Sequence, residues 1–262
     1  ESVYGDRVHT HLDTRVPELR ETLNKAIKRG GTILMPAFSI ERTQLMLYQI
    51  SNLMEAGEIP KIPVFLDSPL AIKATEIYEK HSDYFNKAAQ AEEKREQSLF
   101  RFPFLTMTPS REESDTIHET EGSKLIMAGA GMSHGGRIGR HEVKYLPDPK
   151  TTLLIVGYQA PGSPGRMLQD GSKSVRLNGR QVKVRATVTT LSAWSAHADR
   201  DGLLAFAEAS MPKSKTIFVA IGEPSAQRFL AQRIHDYLGG NAIVPHQGET
   251  WEITKQGAKK VT

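Results

Sequence analysis

Two hydrophobic periods alternate along the first ninety residues, and no other feature narrows the fold as much. Val16, Leu19, Leu23, Ala26 and Ile27 recur at helical spacing, with Gly30 and Gly31 as the stop. Thr32–Met35 is a short apolar run halted by Pro36, which reads as a buried strand. Thr43–Met54 returns to the helical period, Ile62–Leu66 is strand-like and rich in β-branched residues, and Leu70–Gln90 reads as a long helix. Strands that alternate with helices predict a parallel sheet with helices on both faces, an α/β fold. Residues 91–123 are charged and poor in aliphatics, so they read as a helix end and surface loops.

Further on, strands are expected at Leu125–Ala128 and Leu153–Val156, followed by a hairpin. Val175–Leu177 and Val182–Val184 flank Asn178 and Gly179, the pair that a tight type I′ turn favours. A helix over Leu203–Ala209, a strand at Ile217–Val219, a helix over Ala226–Leu238 and a strand at Ala242–Val244 complete the pattern.

The chain has no cysteine, which excludes disulfides and thiolate metal sites and leaves His, Asp and Glu as metal ligands. No apolar run approaches the roughly 20 residues of a membrane span. The sequence opens without an initiator Met or a signal-peptide pattern, and Glu1–Gly5 reads as a strand end entering a turn. The chain is expected to begin mid-protein, in a cytoplasmic protein. Its charge is uneven: Lys124–Arg185 carries eleven basic and three acidic residues, a bias that suits either a polyanionic partner or a solvated basic face.

Three loops, each directly after an expected strand, are candidate sites, because α/β sheets gather ligands at strand carboxyl ends. In Asp67-Ser68-Pro69, Ser68 either caps the next helix or faces a phosphate at its N-terminus. Gly129–Arg137 holds four glycines, which let the backbone approach an anion closely. In Ser195-Ala196-His197-Ala198-Asp199, a His and a carboxylate two residues apart suit acid–base work or metal ligation. Asp199 is equally well placed as a helix cap.

Taken in order, several segments resemble the metallo-β-lactamase-fold nucleases called β-CASP proteins. They are Glu1–Arg7, Pro36–Gln44, Asp67–Ala71, Gly131-Met132, Gly135–Arg137, Val156–Gln159 with Gly162, and Ser195–Asp199. The character is that of the bacterial and archaeal RNA-processing members, similar to the nuclease of messenger-RNA 3′-end formation. The resemblance implies the end of a metallo-β-lactamase portion at residues 1–11, a β-CASP domain at 12–150, and the returning, partial αββα metallo-β-lactamase portion at 151–262. It implies a parent enzyme that hydrolyses RNA phosphodiester bonds with two zinc ions. Glu1 matches an acidic residue beside the metals, and His197 a histidine that assists the leaving group or the scissile phosphate. Arg42, Ser68, Gly131, Gly135, Gly136, Arg137, Arg166 and Ser195 are the expected contacts to single-stranded RNA.

One position departs from the family pattern. Where these proteins usually carry Val-His-Gly-Glu, with the His a metal ligand, this chain reads Ala220-Ile221-Gly222-Glu223, and Ile221 has no lone pair for zinc. His246 is a remote substitute. The upstream His-x-His-x-Asp-His motif is absent from this sequence, so no complete metal site is expected on the chain, nor turnover by the chain alone. Its expected partners are RNA and the missing N-terminal metallo-β-lactamase portion, with a homodimer left open and no membrane. The rival readings are a non-catalytic nucleic-acid-binding paralogue, which Ile221 favours, and a DNA nuclease of the same superfamily.

Overall fold

A computed structural model describes residues 1–9, 12–96, 98–211 and 213–261, in two compact units: His11–Trp194, and Glu1–Thr10 with Ser195–Thr262. The first is built on β1 (Thr32–Pro36), β2 (Val64–Leu66), β3 (Leu105–Met107), β4 (Lys124–Ala128) and β5 (Thr152–Ile155). The chain then makes a hairpin, β6 (Ser174–Leu177) and β7 (Arg180–Lys183), before returning as β8 (Thr187–Thr190). Apart from the hairpin, these strands form one sheet in the order β3-β2-β4-β1-β5-β8, and every pairing is parallel.

Residue parity sorts the strands' side chains into two cores. Ile33, Met35, Leu125, Met127 and Leu154 face Leu19 and Leu23 of α1 (Arg15–Arg29) and Met46, Leu47 and Ile50 of α2 (Arg42–Glu55). Leu34, Ile126, Leu153 and Ile155 belong to the opposite core. There they meet Ile138, Leu168 and the hairpin's Val175, Leu177 and Val182. A sheet covered on both faces needs apolar residues at both parities, so its strands read as unbroken hydrophobic runs. Each fully buried aliphatic side chain contributes about 1.5–3 kcal/mol. Asn178 (φ 49°) and Gly179 (φ 78°) make the hairpin turn, as the sequence predicts.

The expected helix over Leu70–Gln90 is two helices, α3 (Pro69–Lys80) and α4 (Lys87–Glu96). A short 3-10 turn, Ser82–Tyr84, separates them, and the Asn86 side chain accepts the Ala89 N–H at the start of α4 (2.9 Å). Residues 91–123 hold more than loops: β3 lies here, with α5 (Arg111–Thr116), which begins on a reciprocal Ser110–Glu113 capping box. Then come α6 (Gly136–Tyr145) and α7 (Pro164–Gln169). The domain boundary expected at 150 falls inside the sheet, since β5 and β8 extend it beyond that point; the compact unit runs to Trp194.

The second unit contains α8 (Arg200–Ser210), β9 (Ile217–Phe218), α9 (Pro224–Leu238), β10 (Ala242–Ile243) and the hairpin β11 (Trp251–Thr254) with β12 (Gly257–Lys260). Strands β9 and β10 pair in parallel, and Ala207, Val219, Leu230 and Ile234 form the small core. Among the described residues, no helix is long and apolar enough to cross a membrane.

Candidate functional site

In the second unit, the chain's first residues are laced to the loop before α8. Asp199 does most of the lacing. Its Oδ1 accepts the Gly202 N–H (2.9 Å) and caps α8, its Oδ2 accepts the His9 N–H (3.1 Å), and its backbone bridges Tyr4. His9 Nε2 lies 2.9 Å from the His197 carbonyl oxygen, and Ser195 Oγ accepts the His197 N–H (3.3 Å). Glu1 Oε2 accepts the Val3 N–H (2.6 Å), which turns the other oxygen, Oε1, to 3.5 Å from His197 Nδ1. The His197 side chain keeps 43% of its exposure, so an accessible imidazole stands beside a carboxylate. That pair can hold and move a proton.

Ser2 is buried behind them. Its N–H donates to the Ile221 carbonyl (3.0 Å) and its hydroxyl to the Ala220 carbonyl (2.9 Å). A Cβ at Gly222 would lie 2.7 Å from the Ser2 carbonyl oxygen, so this close approach requires glycine. Ile221 is 73% exposed at φ 52°, a left-handed conformation that β-branched residues rarely adopt. Among the described residues, no three His, Asp or Glu side chains are grouped to hold a metal ion.

In the first unit, the loops after β1, β2 and β4 meet at the carboxyl ends of their strands, and Asp67 is the hub. Fully buried after β2, it accepts hydrogen bonds from Thr108 Oγ1 (2.8 Å), Ser114 Oγ (2.7 Å), Arg137 (2.6 Å) and His141 Nε2 (2.7 Å). Burial opposes ionisation of this carboxyl. The donors, His141 foremost, outweigh it and hold the pKa at about 2. Sequence reasoning reached Asp67 only as the neighbour of Ser68 and missed His141, Thr108 and Ser114. The one available signal was a carboxylate directly after a buried strand.

Arg137 is one of the donors to this hub. Besides Asp67, its guanidinium donates to the carbonyls of Thr108 and Pro109. These hydrogen bonds join the glycine loop to the segment after β3. Arg42 is likewise buried at the start of α2, paired with Glu41 (3.1 Å), while Ser68 caps α3 by accepting the Ala71 N–H (3.3 Å). Arg166 pairs with Asp170 (3.0 Å) and stays partly exposed. Within the loop, a Cβ at Gly136 (φ 67°) would meet the Gly129 carbonyl at 2.6 Å, and one at Gly131 would meet the Phe38 ring at 3.0 Å. Gly135 stands at the N-cap of α6, which therefore starts without a side-chain cap.

A second buried carboxyl supports the same loop. Glu142 on α6 accepts the Ser133 hydroxyl (2.6 Å), and its Oε2 has no partner. Burial, only partly offset by Ser133, raises its pKa from 4.5 to about 7. A raised carboxyl pKa favours folding below the unfolded value and loses that advantage as pH rises through the folded value. Stability should therefore decline above about pH 4.5, by about 3 kcal/mol once pH exceeds 7. Denaturant melts of Glu142→Gln from pH 5 to 8 should lack this decline. A variant that kept the wild-type slope would assign the pH dependence elsewhere.

Comparison with known proteins places this geometry in a family. The Beta-Casp domain matches residues 43–168, and the Zn-dependent metallo-hydrolase RNA specificity domain matches residues 181–245. The chain belongs to the β-CASP family of metallo-β-lactamase-fold nucleases. A ribonuclease of Thermus thermophilus, TTHA0252, is 36% identical over 204 residues, covering 78% of this chain and 47% of that protein. Transcription termination factor FttA of Pyrococcus horikoshii is 31% identical over 265 residues, 95% of this chain and 39% of that protein. An RNase J-like protein of Methanocaldococcus jannaschii is 28% identical, with 95% and 57% covered. This β-CASP chain thus spans roughly two-fifths to just over half the length of these relatives.

Proposed function

We propose that this chain is the RNA-gripping and proton-managing part of a zinc-dependent β-CASP ribonuclease that cleaves RNA phosphodiester bonds in the cytoplasm. The observation that carries the reading is the Glu1–His197 pair, held in register by Asp199 and His9. A hydrolysed phosphodiester needs a proton delivered to the departing oxygen. In this reading the exposed imidazole of His197 delivers it, and Glu1 orients the ring. Two zinc ions belong to the reading through ligands outside this chain, in a preceding metallo-β-lactamase portion.

The RNA backbone is assigned to Ser68, Gly131, Gly135, Gly136, Arg166 and Ser195. Arg42 and Arg137 are reassigned as residues that place the loops. The test is a salt titration of single-stranded RNA binding. Each neutralised phosphate contributes about −0.7 to the slope of log K against log salt for a single strand. Arg166→Ala should flatten the slope by about that amount across all sequences, with melting unchanged. Arg137→Ala should lower the melting temperature instead. An unaltered slope for Arg166→Ala would remove it from the RNA path, and equal binding of matched DNA would favour a DNA-directed member. Ile221 supports a second reading, a non-catalytic RNA-binding paralogue, because its exposed side chain sits where the family pattern has a metal ligand. Absence of hydrolysis by the complete protein, with RNA binding intact, would establish that one.

A further inference from the structure

On the face of the first unit away from the hairpin, α2, α3 and α4 enclose a cleft of about 370 Å³ that the proposed function does not use. Its walls are aromatic: Tyr48, Tyr78 and Phe85, with Phe100 edge-on to both Tyr78 and Phe85 at 6.0 Å. Two carboxylates line it as well. Glu92 is oriented by the Tyr48 phenol, which donates to its Oε2 (2.7 Å). Glu41 enters from the start of α2 at the centre of a tight turn, with φ 67° and ψ −60°, closed by the Arg42 N–H on the Ile40 carbonyl (2.8 Å). Gln44, 2% exposed, also lines the cleft. Its Nε2 donates to the Ser39 carbonyl (3.1 Å) and Thr75 Oγ1 (2.9 Å), yet its Oε1 has no hydrogen-bond partner.

We infer that this cleft receives an arginine side chain presented by a partner polypeptide. Acceptors and π-faces dominate the lining: the Glu92 carboxylate, the Glu41 carboxylate beside Arg42 (3.1 Å), the unpartnered Gln44 oxygen and aromatic rings, with the Asn86 amide as a further polar group. A planar guanidinium stacks on aromatic faces and carries five donors in a fixed fork. The carboxylates disfavour phosphate-bearing ligands, nucleotides and RNA included. A compact ammonium would match the charge but not the flat walls. The inference goes beyond the nuclease reading and is independent of it.

Calorimetric titration of the full chain tests it, using a capped pentapeptide with a central arginine and its citrulline counterpart, which keeps the shape and loses the charge. The arginine peptide should bind saturably, and the citrulline peptide at least tenfold more weakly. Glu92→Gln should weaken the arginine peptide about tenfold with an unchanged melting temperature, and Ala88→Trp, which fills the cleft from exposed α4, should abolish binding. Equal binding of the two peptides, or binding that survives Ala88→Trp, would overturn the proposal. Spermidine binding as tightly as the arginine peptide would show a generic cation site, and adenosine monophosphate binding in its place would show a nucleotide site. Either result would also overturn it.

Discussion

Replacing Asp67 by Ala should destabilise the first unit by about 3–5 kcal/mol, the usual cost of removing one partner from a buried charged cluster. The loss has identifiable origins. Arg137 and His141 would remain inside the fold without their counter-charge, and the hydroxyls of Thr108 and Ser114 would lose their acceptor. A fall of roughly 10 °C in melting temperature is expected for a unit of this size. Asp67→Asn keeps volume and one acceptor, and should cost less. The pH dependence follows from sign. A depressed carboxyl pKa stabilises the fold above the unfolded value of 3.8, and the contribution disappears as pH falls towards about 2. Wild type should therefore lose about 2 kcal/mol between pH 4 and 2, and Asp67→Asn should lack that segment. A loss below 1 kcal/mol for Asp67→Ala would show that the cluster is a passive arrangement of polar groups.

In a ribonucleolytic protein carrying this chain, His197→Ala should lower the cleavage rate by roughly 10²–10⁴-fold, the range for a lost general acid. Bound zinc and melting temperature should stay unchanged, because the imidazole is accessible while the loop is held through backbone atoms of residues 197 and 199 and the Asp199 cap. Glu1→Gln offers a finer test. Its amide oxygen can still accept the Val3 N–H while the charge beside His197 is gone. Its rate should fall by a smaller factor, with a shift in the pH–rate profile that a merely structural residue would not produce. Wild-type kinetics for His197→Ala would remove the residue from the mechanism.

The alternation of periods was enough to read the parallel sheet. Val64–Leu66, Leu125–Ala128 and Leu153–Ile155 are buried on both faces, and such strands read as continuous apolar runs. The short edge strand β3 was not legible, because Leu105–Met107 is only half-buried and demands little of its side chains. Nor was α6, whose buried face includes Gly139, His141 and Glu142, residues that local pattern assigns to a surface. Motif order singled out the loops at the strand ends and, in the second unit, Glu1 and His197, which the fold brings to 3.5 Å of each other across 196 positions. What motif order could not convey was each side chain's occupation. Arg137 reads as an RNA contact in a loop with four glycines, and in the fold it donates to Asp67 and to the carbonyls of Thr108 and Pro109. Charge, spacing and hydrophobic period are local properties of a chain. Whether an arginine is available to a ligand depends on acceptors seventy and twenty-nine residues away in sequence, which only the folded sheet brings within hydrogen-bond reach.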